Sequence, residues 1–286
     1  MIVREALLKA IPTLPKSSPR LDAEVLLSFV IKKPIEYLLT DPEHQLSTSQ
    51  IKKYNDLTAR RAKYEPVAYL IGNQEFYGLD FIVNKHVLIP RPETELIIDE
   101  ILKLTGINRS IIDLGTGSGC IIITLAKLGK AKQYIGIDIS SPALAVAKKN
   151  AKLNQVDKKI SFIKGNLLEL IILGKEKIKN NQLIITANLP YLDQDMKNLL
   201  KSSDSAGLKY EPVIALRGGR DGLKYYRELA RQIKKLKKLD PKLEITIYCE
   251  IGHTQTKEFK KIFTIAKQIK VQKDLAGLNR LAIVYL

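Results

Sequence analysis

Between Ser110 and Leu128 the chain runs through Ile111-Ile112-Asp113-Leu114, then Gly115-Thr116-Gly117-Ser118-Gly119, then a long apolar stretch. The first run has the length and apolar character of a buried strand, and Ser118 to Leu128 has the length of a helix. Three glycines at alternate positions exceed what a tight strand-to-helix turn requires. They let the backbone turn sharply and approach a ligand closely, and the helix N-terminus that follows favours electron-rich groups. Loops at the carboxyl ends of strands line the ligand crevice of an open α/β sheet, so a small-molecule site is expected here.

The same grammar continues to the end of the chain. Tyr134 to Asp138 predicts a second strand, and Pro142 to Leu153 a helix with its proline near the first turn. Ile160 to Ile163 and Leu183 to Ala187 predict further strands. Leu223 to Leu239 is expected as a helix, Leu243 to Ile251 as a strand, Thr256 to Lys267 as a helix and Arg280 to Leu286 as the last strand. Alternation of this kind argues an α/β, mostly parallel, doubly wound sheet with helices on both faces.

The N-terminal block reads differently. Leu21, Val25, Leu26, Phe29 and Val30 recur at helical spacing behind Ser18-Pro19 or Asp22, and Ser47, Thr48 and Ser49 offer caps to a helix carrying Ile51, Tyr54 and Leu57. Neither strand alternation nor a glycine-rich loop occurs there, so residues 1–72 are expected as a small helical bundle. Glu75 to Val83, aromatic and β-branched about Gly78, suggests a hairpin within a linker over 73–90. Pro90 and Pro92 hold the stretch from Ile89 to Glu95 extended, and Glu93 or Thr94 then opens a helix through Leu104. The α/β domain takes 91–286.

Several classes are excluded. The longest apolar runs, such as Val25 to Ile31, fall far short of the ~20 residues that cross a bilayer, and Met1 to Pro15 has no signal-peptide pattern. Cys120 and Cys249 are expected as reduced core residues of a cytoplasmic protein, and His44, His86 and His253 lie too far apart for a metal site. The net charge of +17 invites a polyanionic partner. Residues 224–273 carry 14 basic and 5 acidic side chains, on the late helices rather than on the glycine loop.

Which ligand the loop takes is narrowed by spacing. The third glycine comes one residue too early for the dinucleotide fingerprint, and Cys120 stands where a P-loop needs Lys-Ser or Lys-Thr. Asp138 ends the second strand 19 residues after Gly119, in place to accept hydrogen bonds from ribose hydroxyls. Asp-Leu-Gly-x-Gly-x-Gly with such an acid resembles the S-adenosylmethionine site of Rossmann-like methyltransferases.

A second loop, Asn188-Leu189-Pro190-Tyr191, leaves the strand that ends at Ala187. The nitrogen of an amide or aromatic amine is a poor nucleophile because its lone pair is delocalised. Two acceptors that grip its hydrogens hold it in place and direct the lone pair at a methyl donor; the Asn188 side chain and the Leu189 carbonyl are such a pair. Tyr191 offers a flat face to a planar target. The loop resembles the Asn-Pro-Pro-Tyr motif of methyltransferases acting on planar NH2 groups, with Leu189 in place of the first proline; because Leu189 still precedes Pro190 its backbone is expected to stay extended. Asn-Leu-Pro-Tyr is also similar to the motif of ribosomal RNA adenine dimethylases, so the motif alone leaves glutamine amide and adenine open.

The wider resemblance chooses between them. Glu65 to Gly72, Glu75 to Leu79, Val87 to Glu95, Tyr210-Glu211-Pro212, Gly219 to Leu223 and Asp274 to Arg280 together resemble the release-factor glutamine methyltransferases, the PrmC/HemK family. RNA adenine dimethylases lack the helical N-terminal block. The resemblance implies a Rossmann-like methyltransferase domain with an antiparallel last strand, preceded by a helical domain that recognises the substrate protein. It implies methyl transfer from S-adenosylmethionine, by in-line displacement and leaving S-adenosylhomocysteine, to the glutamine amide of the Gly-Gly-Gln loop of peptide chain release factors; an adenine amino-methyltransferase acting on RNA or DNA is the alternative. On this resemblance Gly115, Thr116, Gly117, Ser118, Gly119 and Asp138 bind the donor, with Asn166 and Leu167 at its adenine and Asn188 near the methyl. Asn188, Leu189, Pro190 and Tyr191 grip the substrate and carry the reaction, with no metal. Asn166 stands where relatives often show an acidic residue, and either contacts adenine or only turns the chain. Arg91 either organises the substrate or pairs with Glu93. A monomer is expected, steered by its charge toward acidic release factors, without direct nucleic-acid or membrane binding.

Overall fold

A computed structural model of the chain describes residues 1–104, 108–193 and 203–286. It divides into two units, the smaller made of Met1–Asn73 and a later stretch ending at Tyr210, the larger of the remaining described chain. The smaller unit holds α1 (Val3–Ala10), α2 (Pro19–Ile31), α3 (Ile35–Thr40), α4 (Thr48–Arg61) and α5 (Val67–Ile71). Ser47 caps α4: its hydroxyl accepts from the Gln50 N–H while the Gln50 side chain accepts from the Ser47 N–H, a reciprocal capping box. The core is built on Ala23, Leu26, Leu27 and Val30 of α2 against Val3, Ala6, Leu38, Tyr54 and Leu57. Leu21, 57% exposed, and Phe29, 36% exposed, lie outside that face, although their spacing suggested otherwise. Asp22 turns inward instead, paired with Arg61 of α4 at 2.7 Å and bonded by the Ser18 hydroxyl, which rotates the buried arc of α2 by one position. Tyr210 closes the unit by donating its hydroxyl to the Lys63 carbonyl.

The larger unit begins with a hairpin, β1 (Asn73–Phe76) and β2 (Leu79–Ile82), and α6 (Glu95–Leu102). It then runs β3 (Ser110–Leu114), α7 (Cys120–Leu128), β4 (Gln133–Asp138), α8 (Ser141–Leu153), β5 (Ile160–Lys164), α9 (Glu169–Ile172) and β6 (Gln182–Ala187). After 203–210 follow α10 (Val213–Leu216), α11 (Lys224–Leu239), β7 (Glu244–Glu250), α12 (Thr256–Ile262), β8 (Gln268–Lys273) and β9 (Asn279–Tyr285). The hairpin is no loose connector. The Asn150 carboxamide of α8 accepts from the Ile82 N–H and donates to the Ile82 and Ser118 carbonyls, and Glu95 accepts from the Tyr77 N–H.

Seven strands form one sheet in the order β5-β4-β3-β6-β7-β9-β8, with β9 antiparallel to both its neighbours and the other pairings parallel. The chain winds outward from β3 to β5 and returns to β6 on the other side of β3. That reversal makes the loops after β3 and β6 diverge and opens a crevice between them. Alternate residues of each strand face opposite layers. Ile112, Ile135, Ile185 and Ile247 pack under Tyr226, Leu229 and Ile233 of α11 and Phe259 of α12. Ile111, Tyr134, Ile184 and Tyr248 pack under α6, α7 and Phe76 and Phe81 of the hairpin.

The C-terminal part departs from expectation. The helix expected over Thr256 to Lys267 ends at Ile262, and Gln268–Lys273 is an added strand, β8. Ile269 and Val271 pack on the core while Gln268 and Lys270 alternate with them toward solvent, and Lys273 is exposed after a register shift at Gln272/Lys273, so lysines protect this edge strand. The last strand is therefore interior to the sheet, covered on one side by β7 and on the other by β8.

Candidate active site

At the end of β3 the chain turns into the left-handed region at Gly115, Gly117 and Gly119, with φ of 69°, 55° and 83°. The Gly115 and Thr116 N–H groups donate to the Ile137 carbonyl at 2.8 and 3.0 Å, tying the loop to β4. Gly119 is itself the left-handed residue before α7, so the helix begins at Cys120 and not at Ser118. Beneath the loop lies Asp113, fully buried. It accepts from the Thr116 hydroxyl at 2.6 Å and the Thr186 hydroxyl at 2.7 Å, so one carboxylate joins the loop to β6. Burial pushes this carboxyl up to about 7, against the pull of those two hydroxyls.

Asp138 ends β4 on the crevice side. One of its oxygens accepts from the Gly117 N–H at 2.9 Å and the other from the Ser140 N–H at 2.8 Å. Burial raises its pKa and these N–H groups oppose the shift. Each oxygen keeps lone-pair capacity for a further donor, such as a hydroxyl.

The loop after β6 faces this one. Asn188 donates its Nδ2 to the Thr94 hydroxyl at 3.0 Å and to Glu250 Oε2 at 2.9 Å, and its Oδ1 has no partner among the described residues. Nor does the Leu189 carbonyl accept a hydrogen bond among them. The Leu189 side chain, 3% exposed, leans across to the glycine loop, where its Cδ2 lies 3.2 Å from the place a Cβ on Gly115 would take. Tyr191 does not line the cleft. Its hydroxyl donates to Glu250 Oε1 at 2.9 Å, and burial raises its pKa. Tyr225 of α11 lines the cleft instead.

Between the two loops lies an open cleft. It is bounded by the glycine loop, Asp138, Gly165 to Leu167, Asn188 to Pro190 and the segment His86 to Arg91. Of the residues expected to form a site, all but Gly119 and Tyr191 therefore line one space. Arg91 pairs with Glu211, not with Glu93; Glu211 also accepts from the Ile89 N–H, so a buried carboxylate pins this wall to the loop that begins at Glu211. Cys120 lines the cleft as well, and burial raises its thiol to about 12, which leaves it unreactive near neutral pH. Among the described residues no cluster of His, Cys, Asp and Glu could hold a metal ion, and no helix is long and apolar enough to cross a membrane.

Three supports escaped the sequence reading. Glu250, at the end of β7, is bonded to Thr94, Asn188 and Tyr191 at once. Gln232 of α11 accepts from the Leu168 N–H at 2.7 Å, steadying the turn in which Leu167 takes a positive φ of 54°. Gln255 donates to the Tyr191 carbonyl at 2.9 Å and the Asp221 carbonyl at 3.2 Å, while the Gly218 N–H donates to the Leu192 carbonyl at 2.7 Å. The segment from Gly218 to Gly222 thus braces the Asn188–Tyr191 loop from behind. An acid closing an apolar strand, as Glu250 does, was the one legible signal, since Asp138 was recognised by that very feature.

Comparison with known proteins agrees with this architecture. The family described as PrmC N-terminal domain matches residues 5–72, and that described as methyltransferase domain matches 106–267. A release factor glutamine methyltransferase of Clostridium acetobutylicum is 34% identical over 290 residues, covering 99% of this chain and 98% of that protein. A bifunctional methyltransferase of Rickettsia felis is 37% identical over 97% of this chain, which spans only 57% of the Rickettsia protein. Among solved structures, the hMettl16 catalytic domain in complex with an RNA hairpin superposes with a TM-score of 0.57 at 15% identity, over 91% of this chain and 90% of that one, a likeness of fold alone.

Proposed function

We propose that this chain, which belongs to the release factor glutamine methyltransferase family, transfers a methyl group from S-adenosylmethionine to the glutamine side-chain amide in the Gly-Gly-Gln loop of a peptide chain release factor. The observation that carries the reading is the pairing of two acceptors without a partner among the described residues, Asn188 Oδ1 and the Leu189 carbonyl, on residues that line the cleft bounded by the glycine loop. Two acceptors side by side match the two hydrogens of a planar NH2 group.

The residues present fit the donor. Asp138 retains acceptor capacity that would serve ribose hydroxyls, and the apolar side chains of Ile139 and Leu167 on the cleft would suit a flat ring. When bound, S-adenosylmethionine supplies an electrophilic sulfonium methyl group. The protein's own work is positioning and desolvation. Asn188 and Leu189 hold the amide nitrogen by its hydrogens, Pro190 fixes the extended backbone that presents the Leu189 carbonyl, and the walls built on Arg91–Glu211 and Tyr225 exclude water. We assign no dedicated general base among the described residues: the N–CH3 bond forms as the S–CH3 bond breaks, and the proton of the methylated nitrogen leaves to water, while Glu250, beside Asn188, is already taken by three donors. On this reading the protein works in the cytoplasm as a monomer, and the helical N-terminal unit recognises the body of the release factor.

The test is incubation with methyl-labelled donor and recombinant release factor. Label is expected in the Gly-Gly-Gln peptide, resistant to ribonuclease and lost with Asn188→Ala. Label carried instead by nucleic acid and removed by ribonuclease overturns the reading in favour of an adenine amino-methyltransferase.

A further inference from the structure

Glu250 is 2% exposed at the end of β7, and the transfer described above gives it no task. A buried carboxylate without a task is costly, so its hydrogen bonds repay attention. The Thr94 hydroxyl donates to Oε2 at 2.6 Å, Asn188 Nδ2 donates to the same oxygen at 2.9 Å, and the Tyr191 hydroxyl donates to Oε1 at 2.9 Å.

These bonds settle which way Asn188 faces. The single hydroxyl proton of Thr94 is committed to Glu250, so toward Asn188, at 3.0 Å, Thr94 Oγ1 is an acceptor. Burial raises the Glu250 pKa, the Thr94 and Tyr191 hydroxyls and the charge of Arg280 oppose that shift, and three donors converge on its two oxygens, which makes it the acceptor here. A carboxamide that meets two acceptors at once satisfies both only with its NH2, and its oxygen must then face elsewhere. We propose that Glu250 and Thr94 are positioning residues that fix the Asn188 carboxamide with its oxygen presented to the cleft, ready to accept from the NH2 group of the substrate. The inference rests on the function proposed above. An N–H donated to a carboxylate also polarises the amide, which raises the negative charge on Asn188 Oδ1 as the substrate nitrogen becomes positive. With glutamine at 250 the side chain can offer its own NH2. Asn188 is then free to flip, and its NH2 meets that of the substrate.

The test uses the full chain with Glu250→Gln, Thr94→Val and Thr94→Ser. Single-turnover methyl transfer at saturating donor is expected to slow on the order of a hundredfold in Glu250→Gln and Thr94→Val, the scale of losing one oriented polar contact. Thr94→Ser, which keeps the hydroxyl, is expected to stay within about threefold of the wild-type rate, well inside that hundredfold scale. Donor affinity by calorimetry is expected to hold within about twofold in all three, since the donor contacts are untouched; a general collapse of the site lowers it together with the rate. A second readout does not depend on the substrate. The Asn188 side-chain NH2 protons, assigned in 15N-labelled protein by their loss in Asn188→Ala, are expected to exchange with water at least about tenfold faster in Glu250→Gln and Thr94→Val than in wild type. If wild type methylates no release factor, the proposed function fails, while proton exchange still decides the orientation of Asn188. Exchange unchanged in both variants, a wild-type rate in Glu250→Gln, or Thr94→Ser as slow as Thr94→Val overturns the inference. Should Glu250→Gln fail to fold, the valine and serine pair at 94 decides alone.

Discussion

Gly222→Ala perturbs the loop that carries Asn188 without altering any residue of the cleft. Gly222 has a φ of 74°, and a Cβ there would lie 2.1 Å from the Tyr191 carbonyl oxygen and 2.2 Å from Gln255 Nε2. These are the two partners of a hydrogen bond 2.9 Å long, so the methyl group would sit against the bond that braces the loop. Gly174 makes the internal control: its φ is 67°, and a Cβ there meets nothing within 4 Å. The left-handed backbone costs an L-residue about 1–2 kcal/mol at either position. Overpacking adds about 1–3 kcal/mol at Gly222 alone, and the lost hydrogen bond about 1 kcal/mol more. Gly222→Ala is therefore expected to cost roughly 3–6 kcal/mol against about 1–2 for Gly174→Ala. Urea unfolding followed by tyrosine fluorescence reads this directly, since the chain has 12 tyrosines and no tryptophan. Single-turnover transfer should fall with Gly222→Ala, because pushing the Tyr191 carbonyl shifts the Pro190 and Leu189 peptides, and should be unchanged with Gly174→Ala. Equal losses of stability in the two variants, with a wild-type transfer rate in Gly222→Ala, would refute the bracing argument.

Asp138→Ala removes the acceptor of the Gly117 and Ser140 N–H groups and of the proposed ribose contact. Donor dissociation constants should rise about 10–100-fold, the scale of a hydrogen bond to a charged group, and calorimetry showing less than a twofold change contradicts that role. Asp113 supplies a pH test of the loop. Its carboxyl is raised by burial to about 7 from 3.8, so the folded chain binds that proton more tightly than the unfolded one. Its contribution to stability is therefore complete below the unfolded value and is lost as pH rises through about 7. The unfolding midpoint of wild type relative to Asp113→Asn should fall between pH 4 and pH 8, and a difference that stays flat over this range contradicts the assignment.

How much of this was legible in the sequence follows from where each constraint resides. Gly115 to Gly119 and Asn188 to Pro190 are contiguous stretches whose residue types impose their own backbone, so loop chemistry could be read locally. Asp138 was found because strand and loop lengths bring an acid to the same sheet edge. Glu250 meets the same description, but its partners Thr94 and Asn188 lie 156 and 62 residues away, and only the sheet order brings them together. The pairing of Arg91 with Glu211, 120 residues apart, was hidden for the same reason, and the nearby Glu93 was the natural guess. The bond from the Tyr191 hydroxyl to Glu250, 59 residues away, was hidden likewise, since a loop aromatic read locally looks available for stacking. The missed strand β8 carries the exposed Lys270 and Lys273, and that charge merged with the run from α12 into what read as one solvated helix.

The high positive charge is spread over the late part of the chain, and the residues that line the cleft are mostly apolar or uncharged. On the proposed function, charge speeds association with an acidic partner, while the choice of target would fall to the Asn188 and Leu189 acceptors. Peptide mapping of recombinant release factor after incubation with methyl-labelled S-adenosylmethionine tests that division most directly. The account predicts label on the glutamine of the Gly-Gly-Gln peptide, unaffected by ribonuclease and absent with Asn188→Ala. An unlabelled glutamine, or equal labelling by Asn188→Ala, contradicts it.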